Sequence, residues 1–300
     1  MIFTEYSSKT LAAAISLMDE DDLLQQILVP VDFSECANSA IRHAIAIAIR
    51  TGATVKLLHT VNLPAFAPEA GVVSIGELEH EAAAKLSKMG DEITHWLDRE
   101  RLRAVDIKFQ VRSGFVSDEI LSLAEQNKVD LIVMGTRGAG NVVGALLGSN
   151  ASTVMQKAHC PVLIVPDDAE FAGISQMAFA TDMMEIDVDT VIRLVDFAAH
   201  FDANLHVVHI INGQDYLSPE QASAFKERFA EIAKYDKVSF HIVAADGRSV
   251  TQSIEDYAEE NKIDVLAIQN QERGFIDKIF KPSVSKKLAV HAKIPLLAFH

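Results

Sequence analysis

The sequence predicts an α/β protein made of two doubly wound domains, and three observations carry that expectation. Short apolar runs alternate with amphipathic stretches of helical period. The order of these runs occurs twice along the 300 residues, a length that suits two domains of about 100–200 residues each. In the first half, the apolar run Leu131-Ile-Val-Met134 opens into Gly135-Thr-Arg-Gly138, then nine residues, then Gly148-Ser149, before a helical pattern resumes. Strands alternating with helices imply a parallel sheet covered on both faces.

Taken in order, residues 1–23 read as an extension. Lys9 and the run Leu11–Met18 faintly resemble a leader, but no basic start precedes them. The acidic Asp19-Glu-Asp-Asp22 stands where small residues would be cleaved. The expectation is a short helical extension on a cytoplasmic protein. First-half strands are expected at Ile27–Val31, Thr54–Thr60, Asp106–Val111, Asp130–Met134 and Val162–Val165. Helices fall between them at Ser34–Arg50, Gly76–Glu100, Val116–Asn127 and Ser149–Ala158. Ser34 suits the N-cap of the first helix, and Ile41, Ala44, Ile45, Ala48 and Ile49 mark its inward face.

The second half repeats this order. Ile27–Asp32 aligns with Met177–Asp182, and Ala53–His59 with Ala203–His209, at an offset of 150. From the third strand onward the offset reads 134, pairing Val129–Met134 with Ile263–Ile268 and Pro161 with Pro295. The first half therefore holds sixteen extra residues within Leu63–Arg103. A repeat this long is a duplicated domain, not a solenoid unit. The expected division is an extension at 1–23, a first domain at 24–166, a linker near Pro166–Ser175 and a second domain at 175–300.

A net charge of -15 argues against binding nucleic acid or anionic membranes, and no apolar run approaches the ~18–20 residues of a membrane span. The two cysteines, Cys36 and Cys160, make no disulfide framework and fit a reducing compartment. Cys36 falls in the first turn of a predicted helix, where either thiolate stabilisation or simple burial applies. The six second-half histidines read as core or surface residues. His206 and His209, three apart on a strand, face opposite ways and cannot converge on a metal. Phe275, Ile276, Ile279 and Phe280 read as the apolar face of a helix.

Five strands joined by right-handed crossovers favour the order 3-2-1-4-5, whose switch point lies between the first and fourth strands. That order brings Pro30-Val31-Asp32 beside Met134 and the glycine loop. Glycines let backbone N–H groups approach an anion, and a helix start adds unpaired donors and a positive dipole end. Asp32 either accepts hydrogen bonds from an adenine amino group or a ribose hydroxyl, or caps the next helix. Ser149 either caps its helix or also donates to phosphate, and Arg137 is either a phosphate partner or a solvated loop residue. Asn141 and Asn150 are weaker candidates. The spacing differs from the P-loop and the dinucleotide fingerprint, and no Walker-type lysine, acidic metal ligand or nucleophile–base pair accompanies it. Binding is favoured over turnover, with no catalytic residue and no protein metal site expected.

At Ile27-Leu-Val-Pro-Val-Asp-Phe-Ser-Glu35, Leu57-Leu-His59 and Gly135-x2-Gly138-x9-Gly148-Ser149, the chain resembles the universal stress protein family in its tandem form. The resemblance implies two Rossmann-like domains, akin to the adenine nucleotide alpha hydrolase fold, each a five-stranded parallel sheet paired along its last strand. It implies an ATP site, often with Mg2+ on the triphosphate. Pro30, Val31, Asp32 and Thr60 would surround adenine and ribose. Met134, Gly135, Arg137, Gly138, Gly148, Ser149 and Asn150 would hold ribose and phosphates. In the second half Gln269, Glu272 and Pro282 replace the three glycines and only Ser283 matches, so that half is not expected to bind ATP in this way. The implied role is a stress-response regulator whose partners are ATP and its own second domain, with a homodimer open. Slow ATP hydrolysis or autophosphorylation, and a nucleotide-independent scaffold, are the alternatives.

Overall fold

The computed structural model describes residues 24–62, 74–136, 147–167, 169, 171–181, 183, 187–212, 218–269 and 294–299. The N-terminal extension, Arg137, Gly138, Asn141, Asp182, Glu272, the Phe275–Phe280 face, Pro282, Ser283, His291 and His300 lie outside them. The first half runs β1 (Gln26–Pro30), α1 (Glu35–Thr51), β2 (Thr54–Val61), α2 (Ile75–Glu100), β3 (Ile107–Ser113), α3 (Val116–Gln126), β4 (Leu131–Gly135), α4 (Ser149–Lys157) and β5 (Val162–Val165). The second runs β6 (Gln176–Ala180), α5 (Val188–His200), β7 (Asn204–Ile211), α6 (Pro219–Ala233), β8 (Val238–Ala244), α7 (Val250–Glu260), β9 (Val265–Gln269) and β10 (Leu296–Phe299).

Local chemistry accounts for the boundaries. Ser34 caps α1 by accepting from the Ala37 N–H, and Gly52 ends it with φ 84°, a left-handed turn that costs glycine nothing. The inward face of α1 is wider than the five predicted positions, because Ile47 and His43 are buried as well. Ser74, Ser218 and Ser249 open α2, α6 and α7 with capping boxes. Two aspartates hold the strand starts in matching ways. Asp130 accepts from the N–H groups of Gln25 and Gln26, and Asp264 from those of Ser175 and Gln176.

The strands form one sheet in the order β3-β2-β1-β4-β5-β10-β9-β6-β7-β8. Each half has the predicted 3-2-1-4-5 order with parallel pairing throughout. The halves join through β5 and β10, which pair antiparallel with Leu297 opposite Leu163. Both strands are wholly buried, and the two cores on either face of the sheet each draw residues from both halves. The segment after β5 is packed, not loose. Ser39 Oγ donates to the Asp167 carbonyl at 2.7 Å, and the Phe171 ring meets His43 edge-on at 5.3 Å.

The repeat differs from the sequence expectation at one strand. β3 and β8 superpose at an offset of 131, since Ile107 pairs with Val55 as Val238 pairs with Leu205. The value 134 applies only from α3 and α7 onward. A longer turn after β8, Ala245–Ser249 against Gly114–Phe115, makes up the difference. Low sequence similarity in these edge strands hid the shift.

Candidate functional site

At the carboxyl ends of the first-half strands lies a cavity of about 1040 Å³, just above the range of ligand pockets, about 300–1,000 Å³. β1 and β4 are neighbours in the sheet, so Pro30 and Val31 stand beside Met134 and Gly135. Nine of the predicted site residues line this one cavity: Pro30, Val31, Asp32, Thr60, Met134, Gly135, Gly148, Ser149 and Asn150. The other two, Arg137 and Gly138, lie outside the described residues.

On the β1 side the backbone is firmly held. The Val31 N–H donates to the Leu58 carbonyl, and the Val31 carbonyl accepts from His59 Nδ1, both at 2.7 Å. That bond places the proton on Nδ1. His209 makes the equivalent contact with the Thr181 carbonyl at 3.0 Å, so this histidine is a strand-end staple in both halves. Asp32 does not cap α1 itself. Its Oδ1 accepts from the Ser34 N–H at 3.1 Å and hydroxyl at 2.5 Å, bracing the residue that does the capping. Phe33 then adopts φ 63° and lays its ring on His59, 4.7 Å between centroids.

On the β4 side, Gly135 packs against the start of α1. A Cβ there would lie 2.5 Å from Cys36 Sγ and 3.0 Å from its carbonyl carbon and oxygen. The first glycine of the motif therefore has a packing reason of its own. Cys36 is buried, with Sγ 3.6 Å from Thr136 Oγ1. The ends of the glycine loop are tied together, since the Gly148 N–H donates to the Thr136 carbonyl at 2.6 Å. Thr136 is a contributor that spacing alone did not mark.

The N-cap of α4 is Gly148, not Ser149, and no side chain caps it. Ser149 is the first helical residue, exposed with Asn150 at the cavity. A helix start without a capping side chain leaves N–H donors and the positive dipole end to a ligand. A further wall comes from α2 through Leu78, Glu81, Ala82 and Lys85. Lys85 Nζ lies 2.7 Å from Glu81 Oε1 and 5.6 Å from the centre of the Phe33 ring. Hydrogen bonding to Lys85 holds the Glu81 carboxyl below its ordinary range. Neither residue carried a motif; their only sequence signal was i,i+4 spacing on a predicted helix.

The second half keeps the frame and changes the lining. Met183 takes the Phe33 position with φ 55°, Ile210 replaces the half-buried Thr60 and is buried, and Gln269 replaces Gly135. Among its described histidines, His206 and His241 lie together while His209 stays at the end of β7. His206 donates from Nε2 to Gln176 Oε1, accepts from the Tyr257 hydroxyl, and stacks on His241 at 5.1 Å. Burial, reinforced by the neighbouring imidazole, pulls His206 below its ordinary pKa. Among the described residues, no three His, Cys, Asp or Glu side chains cluster to hold a metal, and no helix is long and apolar enough to cross a membrane.

Fold and cavity together define a tandem of Rossmann-like α/β domains with a strand-end crevice in the first. The chain belongs to the universal stress protein family, whose sequence profile matches residues 24–166 and 176–300. Universal stress protein MJ0531 of Methanocaldococcus jannaschii is 36% identical over 155 residues, 48% of this chain and 84% of its own length. Universal stress protein G of Shigella flexneri is 38% identical over 152 residues, 48% of this chain and 99% of its own. A crystal structure of a universal stress protein from Archaeoglobus fulgidus DSM 4304 covers 91% of this chain and 97% of itself, with a TM-score of 0.68. At 18% identity that likeness speaks for the fold alone.

Proposed function

We propose that the first domain, residues 24–166, binds ATP with Mg2+ in this crevice, and that occupancy biases the conformation or partner choice of a stress-response regulator. The observation that carries the reading is the uncapped start of α4 at Gly148, opening on a cavity whose far side is Asp32 and the end of β1. Pro30, Val31, Asp32 and Thr60 are assigned to adenine and ribose. Met134, Gly135, Arg137, Gly138, Gly148, Ser149 and Asn150 are assigned to ribose and phosphates. Charge-assisted hydrogen bonds contribute about 1.5–3 kcal/mol each. A few of them offset the acidic net charge and leave micromolar affinity, about 8 kcal/mol.

The second domain, 175–300, has the role of sheet partner and not of an ATP site, because Ile210 and Gln269 fill positions that the first domain keeps polar or open. Turnover forms no part of the proposal, because the sequence offers no Walker-type lysine and no nucleophile–base pair beside the glycine motif.

Excess Mg-ATP should raise the melting temperature, with a stabilisation of about 2.7 kcal/mol at a hundredfold over Kd. Ser149→Asp is the sharp control. A carboxylate in the first turn of α4 suits the helix dipole, so the fold survives, while it repels phosphate. An ATP-induced shift that persists undiminished in Ser149→Asp would sink the assignment.

A further inference from the structure

The wall of α2 that faces the crevice has no counterpart among the described residues of the second half. α2 has 26 residues and α6 has 15, and both end on a left-handed C-cap, Arg101 and Lys234. Aligning the helices at those caps leaves Ile75–Lys85 unmatched. That surplus holds Leu78, Glu81, Ala82 and Lys85, the α2 residues that line the cavity. The extra helical turns and the two ends of the glycine motif, Gly135 and Gly148, thus occur in the same half and line the same crevice.

Lys85 is the single Lys or Arg among the described residues lining the cavity, where it shares the space with the carboxylates of Asp32 and Glu81. An anion entering a chain of net charge -15 needs a local counter-charge. Lys85 lines the same cavity as Gly148 and Ser149, and its ammonium carries the charge needed. It rests on Glu81 one helical turn back, and both side chains are more than half exposed, 56% and 63%. Exposed pairs of this kind contribute little, so a multiply charged ligand displaces the carboxylate at small cost.

We infer that Lys85 is the charge-selecting residue of this crevice: Glu81 holds it in the free protein, and it transfers to the phosphate chain of a bound nucleotide. The inference rests on the nucleotide reading above and deepens it, since it assigns discrimination between charged and uncharged ligands to a residue outside the glycine motif. Glu81 then acts as a competitor that weakens binding of anions.

The test is calorimetric titration of the full chain with ATP and with adenosine, comparing wild type, Lys85→Gln, Lys85→Arg and Glu81→Gln. Lys85→Gln should weaken ATP about five- to tenfold and leave adenosine unchanged, and the loss should shrink in high salt. Lys85→Arg should retain most ATP affinity. Glu81→Gln should tighten ATP about two- to threefold. Equal losses for ATP and adenosine in Lys85→Gln would mean that the side chain only shapes the wall and would overturn the inference. Unchanged ATP affinity in Lys85→Gln would overturn it as well, with the site reading left standing. A wild-type protein that binds neither ligand would instead remove the nucleotide reading itself, and this inference with it.

Discussion

Adding a single methyl group at Gly135 should cost about 1–3 kcal/mol by overpacking, read as a lower denaturation midpoint at unchanged m-value. The Cβ would sit 2.5 Å from Cys36 Sγ. Pairing the change with Cys36→Ala should recover part of the loss and no more, because the carbonyl carbon and oxygen of Cys36, at 3.0 Å, remain in place. Full recovery would mean that the thiol alone demands the glycine. This residue illustrates how one position serves two ends. A glycine at a strand terminus reads from sequence as room for a ligand, yet here it also admits the neighbouring helix. Asp32 carries a similar lesson: its hydrogen bonds to Ser34 give it an indirect capping role beside the ligand role proposed for it.

At the scale of elements, α3 and α7 occupy equivalent places but start differently. Ser249 caps α7 with a capping box, whereas Phe115 heads α3 with no side-chain bond and 79% of its surface exposed. Phe115→Ser should therefore stabilise the protein by about 0.5–1 kcal/mol, checked by thermal or urea unfolding. A neutral or negative effect would show that the aromatic ring contributes something the cap does not replace. Element type and order were legible from the sequence because periodicity, Ser34 and the repeat all agreed, and predicted first-half ends fall within two residues of those observed. What stayed hidden had no local signature. The shift of β8 to offset 131 depends on strand pairing between edge segments of little sequence likeness. The cavity wall from α2 depends on tertiary placement of an ordinary Glu-Lys helix pair, and the N-cap at Gly148 on backbone geometry at a single residue.

For the whole molecule, the seam is the controlling feature. β5 and β10 are each wholly buried, and each covers the other's edge. A fragment spanning residues 24–167 would expose β5 as a flat apolar edge, a template for pairing with another chain. Such a fragment should self-associate, giving dimers or larger species by analytical ultracentrifugation, while a charged substitution at Leu163 should push it toward monomer or unfolding. A stable monomeric fragment would show that the second half is dispensable for covering this edge.

The antiparallel seam also fixes directions. Strands within each half run parallel, and the halves meet head to tail, so the carboxyl ends of β1 and β4 point one way and those of β6 and β9 point the other. The crevice beside Asp32 and its altered counterpart beside Thr181 consequently open at opposite rims of the sheet. No ligand of ordinary size spans both. The two rims are joined by the paired strands Val162–Val165 and Leu296–Phe299 and by the cores on either face that both halves share.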